Sequence, residues 1–269
     1  MFVELNAIIR LDPIDGGGSG VSGQGSGKLC DKQVVPKNIR AVGWRNVEKI
    51  KKFQNRNVFV IDSGLARIPR EFNVKTNLAR NFITNKKNDW YDCHGHGTHV
   101  AGTIGAKHNK CGVVGVAAGI PIVPLKVVGC TGGGTLANIV KALNYIHQVG
   151  KRGDVVNISM GAPLSQKAMD IAVKRVAEKG IKFAIAAGNG NKNSKTYTPA
   201  RVAARGVYTV CAVSESGEFA GFSNYGKPPI DVCAPGEAIV SLAPGGLLWK
   251  RSGTSMAAPH VAGLFALCA

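Results

Sequence analysis

The sequence predicts an α/β domain in three layers, with a mainly parallel central sheet flanked by helices. Short, nearly continuous apolar runs alternate with longer segments whose apolar residues recur at helical spacing. Runs apolar at successive positions are what strands covered on both faces require, and parallel sheets are covered in that way. The 35 glycines and an aromatic content of only 6% suit tight turns and close backbone approaches better than a helical bundle.

Taken in order, the first fifteen residues form a short alternating segment ending in an acidic turn. Residues 16–32 begin with GGGSGVSGQGSG, the composition of a flexible linker. From 33 to 269 the chain reads as one folded unit without a further linker or internal repeat. NVFVI (57–61), PIVPLKVV (121–128), DVVNI (154–158), IKFAIA (181–186) and VYTVCAV (207–213) are expected as buried strands. TLANIVKALNYIHQVG (135–150) and SQKAMDIAVKRVAEKG (165–180) are expected as helices, each closed by a glycine. In such sheets ligands bind beyond the carboxyl ends of the strands, so the residues just after each strand are the candidates for function.

Composition narrows the function classes. The formal charge is +18, from 34 Lys and Arg against 16 Asp and Glu. The basic residues are scattered and not interleaved with aromatics, so nucleic-acid binding is not expected. No apolar run reaches the roughly 18 residues of a bilayer span. Seven cysteines allow at most three internal disulfides, and no CxxC pair offers metal-finger spacing.

The positions after the strands hold a consistent set. Asp62 ends VID after the first strand. His96 lies in CHGHGTHVAGT, ahead of a helix expected from about Thr98. Asn189 follows the IKFAIA strand in AAGN, and Ser255 lies in GTSMAAPHVAG at the start of the last helix. A serine nucleophile needs a base for its proton, and the base needs a carboxylate to fix its tautomer. The oxyanion that then develops needs fixed donors, here the Asn189 amide and the Ser255 N–H.

VIDSG, HGTHVAGT, AAGN and GTSMAAPHVAG in this order resemble the signature segments of the subtilase family, from about Gln33 onward. The resemblance implies a subtilisin-like fold and a secreted serine endopeptidase, nearest in pattern to the bacterial subtilisin and aqualysin type. It implies Asp62, His96 and Ser255 as the triad, working through an acyl-enzyme, with Asn189 as oxyanion donor. Ser159, Met160 and Gly161 resemble one wall of a cleft for extended polypeptides, and Gly132, Gly133 and Gly134 the other. Ala186, Ala187 and Gly188 would line an uncharged P1 pocket, implying a broad or apolar preference. A cleft for basic substrates would need acids, and Asp154 is almost alone as a candidate.

The same resemblance implies structural calcium held by side-chain oxygens of Gln33, Glu71 and Asn109 and carbonyls of Lys107, Cys111 and Val113. Such an all-oxygen cage suits a hard cation, although Glu71 stands where the family usually has Asp. It also implies a Cys93–Cys130 disulfide, whereas Cys211 and Cys233, set in apolar runs, are expected as small core residues. Residues 1–15 resemble the tail of an inhibitory pro-domain, 16–32 would hold the maturation cut, and 33–269 a catalytic domain that stops short of the usual C-terminus. A monomer inhibited by its own pro-domain is the expected form.

Overall fold

The computed structural model describes residues 8–11, 33–43, 56–84 and 86–268. The linker assigned to 16–32, and most of 1–15, lie outside the described residues.

Each apolar run becomes a strand, within a residue or two of its expected bounds: β2 (Val58–Asp62), β5 (Pro121–Lys126), β7 (Val155–Ile158), β8 (Lys182–Ala186) and β9 (Val207–Val213). They join β10 (Ile230–Pro235) and the short β3 (Asn73–Val74) in the order β10-β9-β8-β7-β2-β5-β3, with β4 (Arg80–Asn81) also on β5. The pairings in this eight-stranded sheet are parallel.

The period of two along β2 divides the core. Val58 and Val60 point to one face, with Val100, Ile104, Ala257 and Val261. Those residues belong to α2 (His96–Gly105) and α5 (Thr254–Cys268). Phe59 and Ile61 point to the other face, with Ile139, Leu143, Met169 and Val173. These come from α3 (Leu136–Val149) and α4 (Lys167–Ala177). All ten residues of α2 are buried, as expected of a helix without a polar face. In α3, Thr135 caps the start by accepting from the N–H of Asn138, and Gly150 ends the helix. A short α1 (Lys37–Ala41) precedes the sheet.

Two small sheets lie beside this body. β11 (Ile239–Ala243) and β12 (Leu247–Arg251) form an antiparallel hairpin that leads into α5. Near the start of the chain, β1 (Ile8–Arg10) pairs antiparallel with β6 (Gly133–Thr135), matching Ile8 with Thr135, Ile9 with Gly134 and Arg10 with Gly133. Among the described residues no helix is long and apolar enough to cross a membrane.

Two expectations need correction. Cys211 and Cys233 are disulfide-bonded, with Cα atoms 4.4 Å apart, rather than isolated core residues. They are directly paired across neighbouring strands β9 and β10, an adjacency that periodicity does not encode. Helix α2 begins at His96 itself, two residues earlier than expected.

Candidate active site

Asp62 is the last residue of β2 and is fully buried. His96 opens α2, and its Nδ1 lies 2.8 and 3.0 Å from the two carboxylate oxygens of Asp62. The N–H of Ser63 donates to Asp62 Oδ1 at 2.7 Å, which fixes the carboxylate. A carboxylate on Nδ1 makes that nitrogen the protonated one and leaves Nε2 as the basic site.

The turn that carries His96 is held by Asp92, a residue that motif reading passes over. Asp92 accepts from the N–H groups of His94, Gly95 and Thr98 at 2.8–2.9 Å, and from the hydroxyls of Ser63 and Thr98. The residue at the cap position is Gly95, with φ of 94° and no side chain to offer, so Asp92 satisfies the first donors of the helix in its place. Burial pushes the Asp92 carboxyl up, but the Thr98 hydroxyl and the Gly95 and Thr98 N–H groups outweigh it and hold it below its ordinary range. With the helix expected from about Thr98, Asp92 falls outside both the cap position and the first turn, where an acid marks a helix start.

Two other motif histidines, His99 and His260, are core residues. His99 is sealed in the core, its Nε2 3.0 Å from the Ile239 carbonyl and 3.1 Å from that of Trp249. His260, equally buried, bonds the Met256 carbonyl through Nδ1 and meets the Asn38 amide through Nε2. Burial pushes their pKa values down to about 3 and about 4. The unfolded chain binds protons at these rings below its ordinary histidine pKa near 6.5, where the folded chain excludes them. Stability is therefore present above about pH 6.5 and declines below it, by up to about 1.4 kcal/mol per pH unit for each ring. The decline runs to about pH 4 for His260 and about pH 3 for His99. Urea unfolding from pH 7 to 4 should show this slope, and His260→Gln should remove one ring's share. A slope unchanged in that variant would contradict the assignment.

Ser255 is the second residue of α5 and is buried. Pro259, inside that helix, has no N–H for the Ser255 carbonyl. The Ser159 hydroxyl donates to that carbonyl instead, at 3.0 Å, and is itself steadied by Asn157 at 2.9 Å. In return the Ser255 hydroxyl donates to the Ser159 carbonyl at 2.8 Å rather than to His96. Asn189 follows β8, and its Oδ1 accepts from both the N–H and the hydroxyl of Thr254 at 2.8 Å. That anchoring assigns Nδ2 as the donor end of the amide.

The cleft walls are partly defined by β1. Ile9 is buried and lies against Gly134, where any side chain would meet it, and the Leu11 N–H donates to the Gly132 carbonyl at 2.9 Å. Gly132, Gly133 and Gly134 thus form an edge that accepts a strand. Met160 is in the same apolar cluster as Ile9, while Ser159, Met160 and Gly161 make no ladder with β1 among the described residues. Ala186, Ala187 and Gly188 are buried, and a side chain at Gly188 would strike Asn224 and Tyr197. Asp154 lies at the opposite end of the sheet, where it accepts from Asn57 and Lys151.

Cys93 and Cys130 are bonded, with Cα atoms 5.0 Å apart, tying the loop before His96 to the glycine wall. Lys126, at the end of β5, donates to the Ser63 carbonyl at 2.5 Å and lies 3.6 Å from Cys93 Sγ.

At the expected calcium position, oxygens of Lys107, Asn109, Cys111 and Val113 lie 2.8, 3.2, 2.6 and 3.4 Å from Gln33 Nε2. The amide presents its nitrogen there, and its oxygen accepts from the Lys110 N–H, the reverse of the expected orientation. An amide nitrogen has two protons, too few for four acceptors. Oε2 of the fully buried Glu71 has no partner, while Oε1 accepts from Asn109. Convergent oxygens and an orphaned carboxylate oxygen fit a hard cation once the amide is turned end for end. Among the described residues no cluster of three His, Cys, Asp or Glu side chains could hold a metal, so only a cage rich in carbonyls is available.

Comparison with known proteins agrees in one direction. The profile of the subtilase family, peptidase S8, matches residues 54–269. Subtilisin-like protease 6 of Trichophyton equinum is 38% identical over 216 residues, covering 77% of this chain and 50% of that protein. Thermostable alkaline protease of Halalkalibacterium halodurans is 36% identical, covering 87% and 63%, and subtilisin E of Bacillus subtilis is 38% identical, covering 79% and 55%. The chain thus spans between half and two thirds of the length of these relatives. The crystal structure of a cold-adapted subtilisin-like serine proteinase superposes with a TM-score of 0.71 at 35% identity, covering 80% of this chain and 75% of that one.

Proposed function

We propose, from the premise that this chain belongs to the subtilase family, that it is a serine endopeptidase working through Ser255, His96 and Asp62. The observation that carries the reading is the buried Asp62 carboxylate on His96 Nδ1. With its tautomer so fixed, His96 takes the Ser255 proton on Nε2 as the hydroxyl attacks the scissile carbonyl. Asp62 stabilises the imidazolium, and the Asn189 amide with the Ser255 N–H receives the oxyanion. The imidazolium then protonates the leaving amine, and water hydrolyses the acyl-enzyme by the same path.

The Ser255 hydroxyl must first leave the Ser159 carbonyl. An extended substrate pairing with Ser159–Gly161 competes for that carbonyl and turns the hydroxyl toward His96. On the opposite wall, Gly132–Gly134 take the other edge of the substrate strand, as they take β1. Residues 8–11 therefore act as this chain's own inhibitory strand, with 1–15 the tail of a pro-domain and 33–269 the catalytic domain. Ala186, Ala187 and Gly188 offer no charge to a P1 side chain, which favours broad or apolar residues.

Calcium, held by Gln33, Glu71, Asn109 and the carbonyls of Lys107, Cys111 and Val113, would brace the loop after α2 against the start of the domain. The disulfides favour an oxidising, extracellular setting.

The test is fluorophosphonate labelling of the purified chain in calcium, with the adduct mapped by mass spectrometry. A single adduct on Ser255 is expected, absent in Ser255→Ala. A folded chain that takes no label would refute the reading. The same assay tests the junction of β2 and α2. A side chain at Gly97 would run into the Gly64 carbonyl and press the Asp62 Cβ at 3.1 Å. Gly97→Ala should cost about 1–3 kcal/mol of stability and slow labelling about a hundredfold by displacing His96. Labelling at the parent rate would mean that this contact does not set the geometry.

A further inference from the structure

Arg251 ends β12, four residues before Ser255, in a hairpin that packs on the loop carrying His96. The ring of its neighbour Trp249 fills the space that a side chain at Gly95 would take, and the Trp249 carbonyl bonds His99. The Arg251 guanidinium lies over the Trp249 ring, 4.7 Å from its centroid. Its Nη2 is buried and has no hydrogen-bond partner. Burial disfavours its charge, while Asp62 and Asp92 attract it from a distance without pairing with it. A partly desolvated guanidinium with an unsatisfied donor is costly unless an anion completes it. Asp62 is committed to His96 and Ser63, and Asp92 to the cap of α2.

The direction of β1 says where that anion would come from. From Ile8 to Leu11 the strand runs along the wall from Thr135 toward Gly132. Gly132 lies beside the His94 ring, a side chain at that position meeting Nε2 at 3.1 Å, and the His94 and His96 rings are 6.4 Å apart. A substrate running the same way passes the glycine wall first and then reaches His96 and Ser255. Beyond that point lies the loop before His96, where the Trp249 ring of β12 sits against Gly95 with the Arg251 guanidinium over it.

We infer that Arg251 is a specificity-determining residue that binds an acidic side chain within the first two residues on the leaving-group side of the cleaved bond. This rests on the endopeptidase reading above. The planar fork of the guanidinium suits a carboxylate, and an Asp or Glu of the substrate that draws the fork off the Trp249 ring would satisfy Nη2 while neutralising the charge.

Internally quenched peptides sharing one acyl-side sequence, and carrying Glu, Ala or Lys at the first or second position after the bond, provide the test. Glu at the recognised position should raise kcat/KM over Ala by about tenfold, as a partly desolvated charge-assisted bond would, and Lys should fall below Ala. Added salt should shrink the ratio. Arg251→Gln should abolish the preference and Arg251→Glu should reverse it. Fluorophosphonate labelling of Ser255 is read in parallel for every chain. A parent that labels yet cleaves the three peptides equally overturns this inference alone, as does a labelled Arg251→Gln chain that keeps the preference. A folded parent that does not label overturns the endopeptidase reading and this inference with it.

Discussion

Ser255→Ala is expected to lower kcat by about a million-fold, a magnitude carried over from the equivalent change in subtilisin. His96→Ala should cost about as much, and the double variant little more, because nucleophile and base act as a unit. The structural cost of Ser255→Ala is separable from the chemical one. The substitution removes the bond from Ser255 Oγ to the Ser159 carbonyl but spares the bond that the Ser159 hydroxyl makes to the Ser255 carbonyl. One lost bond of this kind is worth about 0.5–1.5 kcal/mol, so the variant should fold and bind peptides while failing to cut them. Single-turnover kinetics with thermal unfolding on the same samples distinguishes the cases. Turnover within a thousandfold of the parent, in a folded variant, would show that another nucleophile operates.

Part of the candidate site was legible because Asp62 ends β2 and Asn189 follows β8, and buried parallel strands declare themselves as apolar runs. His96, by contrast, opens α2 and Ser255 follows the antiparallel β12, so those two are read from their motifs. VYTVCAV and TLANIVKALNYIHQV became β9 and α3 almost to the residue, since both faces of one and the caps of the other leave traces in sequence. What escaped depends on which elements become neighbours. Cys211 and Cys233 pair only because β9 and β10 lie side by side in register. Arg251 reads as an ordinary surface cation until the β11–β12 hairpin packs its Trp249 onto Gly95. Asp92 was hidden for a different reason. Its work is to satisfy backbone donors of α2, and nothing in its immediate neighbours separates it from a loop acid.

Asn189→Leu is expected to lower kcat by about a hundred- to a thousandfold, or about 2.7–4 kcal/mol, again a magnitude carried over from subtilisin. The argument from this chain concerns orientation. Two donors from Thr254 hold Oδ1, so the amide cannot turn over without losing both, and Nδ2 is fixed as the donor. An oxyanion exists only as the carbonyl is attacked, so the loss should fall on kcat and leave KM nearly unchanged. Asn189→Asp keeps an oxygen for Thr254 but sets a second acceptor where the donor stood, and should be at least as damaging. Thr254→Val separates anchoring from donation. It removes one of the two bonds to Oδ1, together with the acceptor for the Gly188 N–H, and leaves the Asn189 amide present. A smaller loss, also in kcat, is expected from that variant, because the amide keeps its backbone anchor. If Asn189→Leu raised KM and spared kcat, the residue would be gripping the ground state, and the oxyanion would have to be held by the Ser255 N–H without it.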